Sequence, residues 1–125
     1  MNRTQECRFE RLLPDGSPVV RFGGQDIVVE LIGLEILQPP GELYREIFEK
    51  RLAGLADPLR CEIEPGKATS RVRGRLLYLA WRDKSGDVWK DVAQLLLEQG
   101  LAKTAPGSFP GREEYLQYER SARSL

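Results

Sequence analysis

Histidine is absent from the 125 residues, and cysteine and methionine are scarce, with two copies and one. Without histidine there is no Ser-His-Asp triad, no Cys-His pair and no zinc site of the mixed Cys/His kind. Two cysteines are too few for a Cys₄ or iron–sulfur site within one chain. Any metal bound here would be a hard cation on oxygen ligands. No charge of one sign is in excess, because 19 basic side chains face 19 acidic ones. No run approaches the ~18 apolar residues of a membrane span. The opening Met1-Asn2-Arg3-Thr4-Gln5-Glu6 lacks the hydrophobic region of a signal peptide. The chain therefore reads as cytoplasmic, with no membrane partner.

Internal repeats, low-complexity tracts and domain linkers are missing as well. What is present, 41% apolar and 30% charged residues, fits one globular domain over residues 1–125. A chain of this length buries roughly two-thirds of its unfolded surface. The last helical pattern reaches Leu125 without a C-cap, so the domain boundary is expected at or beyond that residue. Cys7 and Cys61 form no disulfide framework. Cys61 alternates with Leu59 and Ile63 along an apparent strand, which makes it a buried small hydrophobe rather than a bridged or reactive thiol.

The pattern of turns and apolar periods predicts the elements. Residues 5–13 end at the turn signal Pro14-Asp15-Gly16-Ser17. Val19 to Phe22 read as a strand, and Gly23-Gly24 as a tight hairpin. The nearly continuous apolar run over 26–35 suits one central strand. After Pro39-Pro40-Gly41, the stripe Leu43, Ile47, Phe48, Leu52, Leu55 predicts an amphipathic helix ending near Gly54. Strands follow at 59–64 and 71–81. Asp91 is a good N-cap for a helix over 92–99, and Gly100 its left-handed stop. A short extended piece at 101–104, a loop and a helix over 112–124 complete the chain. Three strands, a helix, two strands, a helix, a short strand and a helix suggest a mainly β, α+β fold. Its expected form is a five-stranded OB-fold barrel capped by about three helices.

Three stretches resemble the staphylococcal nuclease (thermonuclease-like) family. Val29-Glu30-Leu31-Ile32-Gly33-Leu34-Glu35-Ile36-Leu37-Gln38 is similar to its V-R-L-x-G-[IV]-D-x-P-E. Gly74-Arg75-Leu76-Leu77-Tyr78-Leu79-Ala80-Trp81 is similar to its G-R-x-L-A-Y-V. Asp91 to Lys103 is similar to its V-N-x-x-L-V-x-x-G-L-A. The resemblance implies an OB-type barrel and calcium-dependent phosphodiester cleavage, with two metal aspartates, a glutamate activating water and two phosphate-clamping arginines. At those positions stand Ser17, Glu35, Gln38, Glu30 and Arg75. A serine hydroxyl is a weak, neutral calcium ligand. Glutamine cannot take a proton at neutral pH. A carboxylate at position 30 repels the phosphate that an arginine would attract. The two tyrosines that pack the nucleotide correspond to Pro106 and Ser108. The resemblance thus implies a degenerate nuclease-like domain without efficient cleavage or a resident cofactor, acting as a nucleic-acid-binding or interaction module, or through protein–protein interaction alone. Its alternative is an active calcium-dependent nuclease using Glu35 and Arg75, with Asp15 recruited as a metal ligand. Glu30 and Arg75 are expected to form an ion pair across adjacent strands, against the plainer reading of two solvated positions.

Residues 67–84 hold six basic side chains, Lys67, Arg71, Arg73, Arg75, Arg82 and Lys84, and one acidic, Asp83. Arg71, Arg73 and Arg75 alternate along a strand and so share a face. That stripe is a candidate surface for single-stranded DNA or RNA. The alternative is a solvated face paired with Glu62 and Glu64, and zero net charge argues for it. Trp81 and Trp89 are either stacking platforms or core covers. The helix over 42–53 either docks a protein partner or packs on the barrel, and Tyr115 and Tyr118 are expected to hold the last helix to the body.

Overall fold

Two glycines in left-handed backbone make the first hairpin. Gly23 (φ +60°) and Gly24 (φ +77°) allow a two-residue turn that matches the twist of its flanking strands. The turn joins β2 (Pro18–Phe22) to β3 (Gln25–Leu31), and the Asp15-Gly16 turn joins β2 to β1 (Arg3–Leu12). β5 (Leu59–Ile63) pairs antiparallel with the first half of β1, and β6 (Arg71–Asp83) with β5. β6 also pairs in parallel with β3, from Val28 opposite Arg71 to Leu31 opposite Gly74. That pairing closes a five-stranded barrel in the order β3-β2-β1-β5-β6. β4 (Leu34–Ile36) and β8 (Ala102–Thr104) form a separate two-stranded sheet, and β7 (Gly86–Asp91) extends the main sheet from β6. The helices are α1 (Glu42–Glu46), which continues as a π-helical turn over Ile47–Leu52, α2 (Val92–Glu98) and α3 (Arg112–Arg123). This computed structural model describes residues 3–65 and 70–123. The result is an α+β architecture consistent with an OB-like fold. No described helix is long and apolar enough to cross a membrane.

Alternation along the strands sends Val20, Val29, Leu59, Cys61 and Leu76 into one core. Tyr44, Ile47, Phe48 and Leu52 from the first helix and Val92 and Leu96 from α2 meet them there. Phe48 stacks tilted against both Phe9 and Tyr44, with ring centroids 5.6 and 5.1 Å apart. Cys7 and Cys61 are buried free thiols on neighbouring strands, and burial pushes both up to about 12.

Two expectations are corrected. The run over 26–35 is two strands, because Gly33 turns the chain at φ +76° with the Phe109 ring against it. Leu43 is not on the buried stripe: it is 60% exposed, and Tyr44 takes the inward position. The inward residues Tyr44, Ile47, Phe48 and Leu52 keep the i, i+3, i+4, i+8 spacing of a helical stripe, which Leu43 misses by one position, and the helix ends in a π turn in which Ala53 N–H reaches the Phe48 carbonyl. Residues 86–91, to which the sequence pattern assigned no element, form the strand β7. Asp91 and Gly100 act as expected. The Asp91 carboxylate accepts from Ala93 N–H at 2.9 Å, and Gly100 has φ +70°.

Replacing Leu43 by Gln is expected to change unfolding free energy by no more than about 0.5 kcal/mol, whereas Phe48→Ala costs about 3–5 kcal/mol. Urea denaturation of both variants checks this. Neither cysteine is expected to react with an aromatic disulfide reagent at pH 8 in native buffer, while both react in denaturant. Rapid native modification would contradict the burial described.

Candidate functional site

The best-built polar cluster lies where β6, α2 and α3 meet. Arg75 projects from the outer face of β6, Asp91 caps α2, and Tyr115 lies one turn into α3. The Tyr115 hydroxyl donates to Asp91 Oδ2 at 2.5 Å and accepts from Arg75 Nε at 3.0 Å. Arg75 Nη2 donates to the Pro110 carbonyl, and Arg75 Nε lies 3.6 Å from Asp91 Oδ2. The side chains of Arg75 and Asp91 are 13% and 18% exposed, and Tyr115 is buried. Burial raises the Asp91 carboxyl above its ordinary value, although the Tyr115 hydroxyl, the Ala93 N–H and Arg75 all pull it down. Burial works against the Arg75 charge, but Tyr115, Asp91 and Glu62 outweigh it and hold the guanidinium protonated. Burial, then the Asp91 charge, pushes the Tyr115 phenol up. The cluster is a charge-assisted network in which the Tyr115 hydroxyl and the Nε and Nη2 of Arg75 each have an acceptor.

The other positions marked by the resemblance do not join it. Asp15 Oδ1 accepts from Ser17 N–H at 2.9 Å in a local turn, and that bond holds the Asp15 carboxyl below its usual range. Ser17 itself is buried at 8% exposure. Gln38 Nε2 donates to the Asp15 carbonyl at 2.8 Å, so this amide braces the turn. Glu35 is exposed on β4, opposite Lys103 of β8. Among the described residues no three acidic or sulfur side chains converge to hold a metal ion. The calcium implied by the resemblance does not fit: Ser17 is enclosed, and Asp15 is turned onto its own loop.

The expected pair of Glu30 with Arg75 is not formed. Both lie on the outer face, but the parallel register of β3 and β6 sets Glu30 beside Arg71 and Arg73. Its carboxylate meets Arg71 at 3.0 Å. Arg73 lies 3.9 Å from Glu64, and Glu62 stands opposite Arg75 in the antiparallel register of β5 and β6. The stripe Arg71, Arg73, Arg75 is thus set among Glu30, Glu62, Glu64 and Asp91. Arg82 contacts Asp57 at 2.8 Å and Asp87 at 3.4 Å on the far part of β6, and Lys84 lies in the exposed turn that follows. Lys67 lies outside the described residues. Trp81 is 49% exposed, and Trp89 lies under Arg60, whose guanidinium carbon is 4.0 Å from the ring centroid.

Sequence reasoning picked out Arg75 but missed its partners. Asp91 was legible only as a cap and Tyr115 only as a packing residue. Neither carries a local pattern pointing to a β6 arginine.

Arg75→Met is expected to lose about 3 kcal/mol of stability at pH 7, because it leaves Asp91 ionised, buried and without its cation. The loss should shrink as pH falls. The folded Asp91 pKa is raised already and rises further without Arg75, so the ionised form disfavours folding above that value. Below it the carboxyl is protonated and needs no cation. Urea melts at pH 7 and pH 4 measure the difference; an equal deficit at both would contradict it. The chain matches no protein-family model and no curated protein sequence, so the chemistry of the cluster has to be taken from its own geometry.

Proposed function

We propose that this chain is a divergent barrel of the staphylococcal nuclease kind that has given up phosphodiester cleavage and serves as a non-catalytic binding module. The observation that carries the reading is the engagement of Arg75. A phosphate clamp needs guanidinium donors aimed at an incoming oxyanion. Here Nε is held by Tyr115 and Nη2 by the Pro110 carbonyl. The remaining elements agree. Gln38 braces a turn, Ser17 is buried, and Glu30 adds negative charge where the family's chemistry needs positive.

The arginine stripe is not the binding surface in this reading. Three guanidinium groups among four carboxylates offer a polyanion no net attraction. Surface ion pairs are individually weak, about 0–1 kcal/mol, so each arginine can turn to a new partner. The carboxylates stay in place when it does, and they repel phosphate.

Incubation with single-stranded DNA and RNA, with calcium or with a chelator, tests the loss of chemistry. No cleavage above background is expected in either arm. Calcium should also leave the melting temperature unchanged, since a ligand stabilises only the fold that binds it. Cleavage abolished both by chelator and by Arg75→Met would overturn the proposal and restore a calcium-dependent nuclease.

A further inference from the structure

β7 is the open margin of the main sheet. Each of the other strands in that sheet pairs with at least two neighbours, because β3 closes onto β6, whereas β7 pairs with β6 alone. The direction of its backbone groups follows from the turn before it. Asp83 and Gly86 close a two-residue turn, and such a closing pair exchanges both of its main-chain bonds. Bonded and open pairs then alternate, so Arg82 with Asp87 is an open pair and Trp81 with Val88 a bonded one. The register shift between Leu79 and Trp81 adds a residue to β6 and leaves β7 regular. Asp87 and Trp89 therefore turn their N–H and C=O groups to the free side. Among the described residues, no backbone group outside the sheet bonds to residues 86–90.

Sheets commonly blunt such an edge with a proline, a bulge in the edge strand or an outstretched lysine. β7 contains no proline, and the bulge lies in its neighbour. Its lysine leans inward: Lys90 Nζ is 5.2 Å from the ring centroid of Trp81, on β6. Asp87 leans the same way, 3.4 Å from Arg82.

Charge selects what can pair there. Arg60 of β5 lies over Trp89, its guanidinium carbon 4.0 Å from the ring centroid. Among the described residues it makes no ion pair, although Glu6 stands opposite it on β1. A second copy of the chain, turned about a two-fold axis perpendicular to the sheet, sets β7 antiparallel to β7. Two registers then bring outward groups against outward groups. Centred on Trp89, the pairing puts Asp87 opposite the other copy's Asp91, and like charges directly opposite destabilise. Centred on Val88, it puts Asp87 opposite the other copy's Trp89, beside the Arg60 that covers that ring. Val88 then meets Val88, and Lys90 meets Gly86. The symmetry repeats the match of Asp87 with Arg60 on both sides of the axis, so this edge is complementary to itself.

We propose that β7 is a homodimerisation edge: two copies of this chain pair their β7 strands antiparallel about Val88 and join their sheets into one. This goes beyond the reading of the chain as a binding module and does not rest on it, since it requires neither a ligand nor a lost nuclease site. The contact is small, so a reversible dimer of micromolar affinity or weaker is expected.

Sedimentation velocity of the full chain between about 1 µM and about 1 mM tests it, with a dimer fraction that grows with concentration as the expected result. Asp87→Pro removes an N–H that faces solvent in the monomer, so the fold is retained and dimerisation weakens by about tenfold or more. Arg60→Glu, which sets two carboxylates together, weakens it by about fivefold. Circular dichroism identifies any variant that has not folded. Val88→Cys reads the register directly, because an open antiparallel pair holds its Cα atoms about 4.5 Å apart, within disulfide reach. With diamide as oxidant it is expected to give a covalent dimer on a non-reducing gel, well above the yield of Ser85→Cys at the exposed turn. Cys7 and Cys61 are buried and stay out of the reaction. A monomer at every concentration would overturn the proposal. So would a dimer indifferent to Asp87→Pro and Arg60→Glu, or cross-linking through Trp89→Cys in preference to Val88→Cys. The cleavage assay is separate: nuclease activity sinks the non-catalytic reading and leaves this edge untouched.

Discussion

One buried hydroxyl ties α2 and α3 to the barrel. The phenol of Tyr115 lies between a carboxylate that it donates to and a guanidinium that it accepts from. The three side chains come from α3, from the start of α2 and from β6. Asp91 also caps α2, so the same carboxylate fixes a helix start and anchors a second helix. A low local dielectric strengthens each of these bonds and penalises the loss of any one. The loop before α3 is drawn in through the Pro110 carbonyl, and Phe109 then covers Gly33 at the turn between β3 and β4. The backbone geometry of the former strand run and the seating of the last helix thus follow from one cluster.

That cluster also decides what chemistry is open to the fold. An arginine on this strand could serve a substrate only if its donors faced the solvent. Held by neighbours at 13% exposure, it serves the architecture. Carboxylates stand near the rest of the stripe as well. What these arginines can do is set by their partners as much as by their residue type.

Much of the fold was legible because local rules agreed with it. Gly23-Gly24 announced a hairpin, Asp91 a cap, Gly100 a stop, and the alternation of Leu59, Cys61 and Ile63 a half-buried strand. Failures arose where longer-range geometry overrode the local period. Leu43 stands four residues before Ile47 and so matched a helical stripe, but Tyr44, three before Ile47 and four before Phe48, matches one as well, and it is Tyr44 that packs inward. Glu30 met Arg71 because strand closure is parallel, a register that neither strand specifies alone. β7 escaped notice because Val88 and Trp89 are flanked by Asp87, Lys90 and Asp91, with little apolar run to mark them. The site followed the same rule. Arg75 could be singled out from its motif, whereas its dependence on Tyr115 is a tertiary fact.

The parallel seam between β3 and β6 has a consequence for biosynthesis. The meander of β1, β2 and β3 leaves the ribosome before β6 and can form its hairpins at once. Its outer strand stays unmatched until β6 has been made, because the residues that seal it are distant in sequence. Nascent chains therefore pass through an interval in which an apolar strand, Ile27 to Leu31, shows an open backbone edge. Closure of the barrel waits on the synthesis of β6, beyond the first helix and β5.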